Sequence, residues 1–180
     1  MVVVLNMSKI KFQKSLIIVG LLFSVLAHSK EESNFKLDFT AVNYPQWQES
    51  LNNYQGTILV VDMWATWCIS CLERFPHMVE MNKEYQGKGV TFISLLLEDP
   101  EEPEAIAMAK KFLIKQKADF KHYFMNENLM LSFEKLDLLG IPAVFIYGKD
   151  GSLMHKLTGD NPNKQFTEKD IQVAIDAMIK

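Results

Sequence analysis

The apolar positions between residues 57 and 97 fall into two different rhythms. Ile58-Leu59-Val60-Val61 is a continuous run without polar alternation, which predicts an inner strand over 57–63 covered on both faces. A carboxylate, Asp62, sits inside that run. Leu72, Phe75, Val79 and Asn82 then recur at helical spacing, predicting a helix from Cys71 to about Gln86 that Pro76 should kink and that Gly87 and Gly89 close. Residues 90–97 form a second inner strand, rich in β-branched and large apolar residues. Together they predict a β-α-β unit.

The flanks extend the pattern. Phe35, Leu37 and Phe39 alternate with polar residues, as in a half-buried edge strand or hairpin arm, and Pro45 and Trp47 open a short helix ending near Gln55-Gly56. Residues 99–104 hold four acids, which suit a helix start with Pro103 in the first turn. Ala105, Met108, Ala109 and Phe112 form the expected apolar stripe of that helix, followed by a strand at 121–125. Asn126 or Asn128 caps a further helix with Leu129, Phe133 and Leu136 inward and Gly140 as its stop. A strand at 143–147, a turn at Lys149-Asp150-Gly151 and a return strand at 152–158 make a hairpin. The final helix, 167–179, pairs a capping Thr167 with Asp170 and turns Ile171, Ala174, Ile175 and Met178 to the core. One domain of alternating strands and helices closed by a hairpin is the economical reading.

The first 29 residues break this pattern. Lys9, Lys11 and Lys14 precede a nearly unbroken apolar stretch from Leu16 to Ala27, and a polar run follows. That is the plan of a secretory signal, too short for the ~20 residues of a bilayer-spanning helix. The expected organisation is a signal peptide, or an uncleaved N-terminal anchor, over 1–29 and one domain over 30–180. Removing the three lysines leaves 16 basic residues of the 19 against 22 acidic ones, a net charge of −6. Such a balance argues against nucleic-acid binding. Export, to a bacterial periplasm, also makes disulfides persistent.

Cys68-Ile69-Ser70-Cys71 contains the only 2 cysteines of the chain. Closing so small a loop removes little entropy from the unfolded chain, so a structural staple is the weaker reading. Near a helix start, free backbone N–H groups favour an anion, and Cys68 is expected to react as a thiolate that attacks a substrate disulfide. Cys71 resolves the mixed disulfide and must lose a proton to do so. Asp62, a buried carboxylate with a raised pKa, is the candidate acceptor. Trp64 is read as core and Trp67 as the rim of the site.

The stretch Val61-Asp62-Met63-Trp64-Ala65-Thr66-Trp67-Cys68-Ile69-Ser70-Cys71, Pro76 five residues later, and Gly140-Ile141-Pro142 before a late strand resemble the thioredoxin superfamily. Trp-Ala-Thr-Trp-Cys, the signal-like start and Phe75-Pro76-His77 resemble its exported TlpA and ResA type thiol-disulfide oxidoreductases. The resemblance implies an α/β thioredoxin-like fold: a central mixed sheet flanked by helices, with an N-terminal β extension and a helix-strand insert at 102–125. It also implies a cis Ile141-Pro142 bond, with Trp67, Ile141 and Pro142 meeting substrate, and Cys68 and Cys71 forming a redox disulfide. No cofactor is needed, because the electrons reside in the dithiol. The expected partners are protein thiols or disulfides and a membrane-borne electron donor or acceptor, with the protein itself a monomer. Where relatives carry proline between the cysteines this chain has Ser70, whose N–H and hydroxyl should favour the thiolate and a more oxidising couple. Where some exported reductases carry glutamate before Phe-Pro, this chain has Arg74, and Glu73 lies on another helical face.

Two other classes remain open at this level. A copper-binding module would use Cys68, Cys71 and a histidine such as His77, although tetrahedral zinc would want a fourth ligand. His122 and His155 lie in strands without spaced partners. A thioredoxin-like scaffold could also bind partners without chemistry.

Overall fold

The computed structural model describes residues 36–160 and 165–179, which belong to the second of two compact units, Phe35–Lys180. The expected signal segment and Phe35 lie outside the described residues. Six strands form one sheet in the order β1-β4-β3-β2-β5-β6. In chain order these are β1 (Phe39–Val42), α1 (Tyr44–Leu51), β2 (Ile58–Trp64), α2 (Ile69–Glu84), β3 (Val90–Leu96), α3 (Pro103–Gln116), β4 (Lys121–Met125), α4 (Leu129–Lys135), β5 (Ala143–Tyr147), β6 (Leu153–Thr158) and α5 (Glu168–Ile179).

The apolar run 58–61 is continuous because β2 is buried along its whole length, parallel to β3 on one side and antiparallel to β5 on the other. Leu59, Val61 and Met63 join Trp47 of α1 on one face, where Leu129 and Phe133 of α4 also pack. Ile58 and Val60 point to the opposite face, beneath Met78 and Met81 of α2 and Ile171 and Ile175 of α5. Trp64 continues that face toward Cys71 and Phe75 of α2 and Ala109 and Leu113 of α3. Burying a Leu, Ile or Met on such faces is worth about 1.5–3 kcal/mol each.

Several expectations shift in detail. The first strand is Phe39–Val42, not 35–39, because its partner is β4: Phe39 lies opposite His122, and the His122 N–H bonds Asp38. The expected insert supplies α3 and β4, and β4 separates β1 from β3, pairing with both in parallel. On α3 the buried stripe is Ala109 and Leu113 flanked by Ile106 and Phe112, while Met108 is exposed. The predicted stripe was rotated by a fraction of a turn, an ambiguity that an apolar-rich helix leaves open. Asn128 caps α4, accepting the Leu131 N–H at 3.2 Å. That helix ends with Asp137 at φ 52°, so Asp137 and not Gly140 makes the left-handed turn. Helix α2 runs through Pro76 and starts two residues earlier than expected. No helix among the described residues is long and apolar enough to cross a membrane.

Candidate active site

Strand β2 delivers the chain to the site and α2 carries it away. After Trp64, the Cys68 N–H bonds the Ala65 carbonyl at 3.2 Å, a tight turn that places Cys68 at the N-cap of α2. Its sulfur accepts the Cys71 N–H at 3.2 Å, the bond an N-cap oxygen ordinarily makes. The two cysteines form a disulfide across this first turn, with their Cα atoms 5.2 Å apart. Cys68 retains 6% exposure and Cys71 none. Of the two residues Cys68 is the less buried, an asymmetry that follows from one residue capping the helix and the other lying inside it. The Ser70 hydroxyl stands 3.7 Å from the Cys68 sulfur.

Trp64 is fully buried and Trp67 is 53% exposed. Beside Trp67, Leu129, Met130, Phe133, Leu138 and Ile141 line an apolar groove of about 480 Å³. The Ile141-Pro142 bond is cis. Ile141 packs against the cluster that holds both cysteines. Gly159 supports Pro142 from behind: its N–H bonds the Pro142 carbonyl at 2.8 Å, and a Cβ there would come within 3.0 Å of the proline ring. A second cavity of similar volume lies by the C-terminal half of α2, between Val79 and Gly87, far along the helix from the cysteines.

Asp62 lies on the Trp64 face of β2 and is fully buried. One of its oxygens, Oδ1, accepts from the Arg74 guanidinium at 2.5 Å; among the described residues Oδ2 has no partner, and neither does Arg74 Nε. Burial raises the carboxyl pKa, and the Arg74 charge and hydrogen bond pull against it. Arg74, itself 6% exposed, also lies over the Phe166 ring at 4.9 Å. Reading α2 from its apolar residues alone assigned no inward place to Arg74, because an arginine at a buried position is legible only once its carboxylate partner is known.

Two further groups escaped the sequence reading. Glu98, the second residue after β3, is buried and accepts both the N–H and the hydroxyl of Thr66, at 2.5 and 2.6 Å. It clamps the loop that leads from Trp64 to Cys68. The signal available was a lone acid closing the run Leu95-Leu96-Leu97. His122 is also buried, and its partners fix its tautomer. The Ala118 carbonyl, 3.0 Å from Nε2, can only accept, so Nε2 carries the proton and Nδ1 accepts from the Ser94 hydroxyl at 2.8 Å. Ser94 in turn accepts the Trp64 indole N–H at 3.2 Å. Desolvation pushes the His122 pKa down to about 4. The chain Trp64–Ser94–His122–Ala118 thereby pins the tryptophan that roofs the sheet beside Cys71.

His77, the histidine closest in sequence to the cysteines, is exposed and its Nδ1 lies 3.3 Å from Glu80. Among the described residues no three His, Cys, Asp or Glu side chains gather as a metal site.

Known proteins are similar to this chain in sequence and in fold. ResA thiol-disulfide oxidoreductases of Bacillus thuringiensis subsp. konkukian and Bacillus cereus are each 27% identical over 118 residues, 66% of this chain. The chain spans 64% of the length of those relatives. The crystal structure of the thioredoxin domain of a thiol-disulfide oxidoreductase from Bacteroides vulgatus has a TM-score of 0.58 at 17% identity, covering 72% of this chain and 84% of that one. A thiol:disulfide interchange protein from Chlorobium tepidum gives 0.56 at 18% identity, covering 72% and 84% respectively. These solved structures share the thioredoxin-like fold. Residues 34–156 match the AhpC/TSA family, and the chain belongs to that family.

Proposed function

We propose that the protein is an exported thiol-disulfide oxidoreductase that exchanges disulfides with protein substrates. The observation that carries this reading is the disulfide across the first turn of α2, with Cys68 at the N-cap keeping 6% exposure and Cys71 fully buried inside the helix. Reduced Cys68, held where the helix N-terminus favours an anion, attacks a substrate disulfide and releases one substrate thiolate. Cys71 gives up its proton to Asp62 and attacks the Cys68 sulfur, which re-forms the Cys68–Cys71 bond and releases the second substrate thiolate. The substrate gains two electrons and the protein's dithiol loses them. Running backwards, the same steps oxidise a substrate.

Trp67, Ile141 and Pro142 are the residues that meet the substrate in this reading, and the apolar groove lined by Trp67 and Ile141 supports a polypeptide as that substrate. A membrane-borne partner returns the dithiol to its starting state, and the signal-like sequence at 1–29 supports a periplasmic location. The test is insulin reduction with dithiothreitol as donor. Cys68→Ser should lose the catalysed rate, and Cys71→Ser should accumulate a mixed disulfide visible by mass spectrometry. Full turnover by Cys68→Ser would refute the assignment.

A further inference from the structure

We infer that Arg74 is a positioning residue that holds Asp62 through Oδ1 and leaves Oδ2 open, so that the buried carboxylate can take the Cys71 proton; this rests on the dithiol reading above. Cys71 and Arg74 are three residues apart on α2 and so share a face. The guanidinium reaches down to Oδ1, which ties the carboxylate of β2 to the face of α2 that also carries Cys71. Geometry assigns the two oxygens different work. Oδ1 is held by Arg74, whereas Oδ2 is buried without a donor among the described residues, a gap that a purely structural ion pair would be expected to fill. Arg74 Nε is likewise unpartnered, so the pair is joined by one hydrogen bond and not by a two-pronged fork.

The proton balance is closed. Cys71 S–H gives its proton to Oδ2, the thiolate attacks the Cys68 sulfur, and the proton leaves Asp62 for the departing substrate thiolate or water. Without a cation, a carboxylate in this dry position would hold its proton and could accept none. The surroundings leave few other groups to do the task. Besides Arg74 of α2, the sheet places Ser94 of β3 and Val144 of β5 beside Asp62. His122 lies across β3 and stays neutral above about pH 4. Helix α5 turns Ile171, Ala174 and Ile175 to this side, and its first turn carries Glu168, Lys169 and Asp170.

The test uses the reduced protein and dithionitrobenzoate, which releases one coloured thiolate when Cys68 attacks and a second when Cys71 resolves. The pH dependence of each phase is measured by stopped flow. In Arg74→Leu the second phase should shift to alkaline pH by at least one unit and slow about tenfold at neutral pH, since a unit of pKa is a factor of ten in the ionised fraction. The first phase should stay in place, and Arg74→Lys should fall between Arg74→Leu and the parent. Should Arg74→Leu fail to fold, Asp62→Asn with Arg74→Leu removes both charges, and its second phase should match that of Asp62→Asn alone. A second phase that keeps the parent's pH midpoint in Arg74→Leu, or a double variant that restores it, would overturn the inference. A first phase that survives in Cys68→Ser would instead overturn the dithiol reading beneath it.

Discussion

Acid should destabilise this protein through His122 in a way that a single variant isolates. The imidazole is neutral in the fold, with its pKa lowered from 6.5 to about 4 by burial. At pH 7 neither the folded nor the unfolded state holds the extra proton, so the shift contributes nothing. Between pH 6.5 and about 4 the unfolded chain binds the proton and the folded one does not, so stability falls as pH falls. The shift of about 2.5 units corresponds to about 3 kcal/mol by pH 4. Carboxylates titrate over the same range, and His122→Gln separates them because it lacks only the imidazole. Urea unfolding of the oxidised parent and of His122→Gln would be followed by tryptophan fluorescence at several pH values. The variant starts less stable, because a planar amide cannot satisfy both Ser94 and Ala118 in the imidazole's geometry. The parent should lose about 3 kcal/mol more than the variant between pH 7 and pH 4. Parallel curves would refute the reasoning.

Three other outcomes follow from the site. Ser70→Pro removes the hydroxyl 3.7 Å from the Cys68 sulfur, along with a backbone N–H near it, and should make the couple more reducing by on the order of 20 mV; equilibration with glutathione measures this, and a more oxidising variant would contradict it. Glu98→Ala removes Oε1, the one oxygen that accepts both Thr66 bonds, and should cost about 1–2 kcal/mol in thermal unfolding while slowing insulin reduction; an unchanged midpoint would show that the loop needs no clamp. Leu139→Asp, at a residue 89% exposed on the groove rim, should raise KM for a protein substrate about tenfold and leave the dithionitrobenzoate reaction unaltered; an unchanged KM would remove the groove from substrate binding.

Much of this architecture could be read from apolar rhythm and spacing. The run 58–61 and the two cysteines three residues apart are local signals, because strand patterning and helix capping are decided within a few residues, whereas the cis Ile141-Pro142 bond was implied only by the family resemblance. The element order followed from the same signals, and the resemblance they carried placed the chain in a thioredoxin-like fold. The polar interior was different. Arg74 becomes a buried partner of Asp62 only when α2 is laid on β2, twelve residues back in the chain. Ser94 and His122 meet only because β4 pairs in parallel with β3 in one register. Glu98 finds Thr66 only where β3 and β2 end side by side, with the Leu97 N–H bonded to the Trp64 carbonyl. Hydrophobic pattern selects which faces are buried, since any apolar residue of about the right size will serve there. A buried polar group needs one particular partner at one particular distance, and only the tertiary structure supplies it.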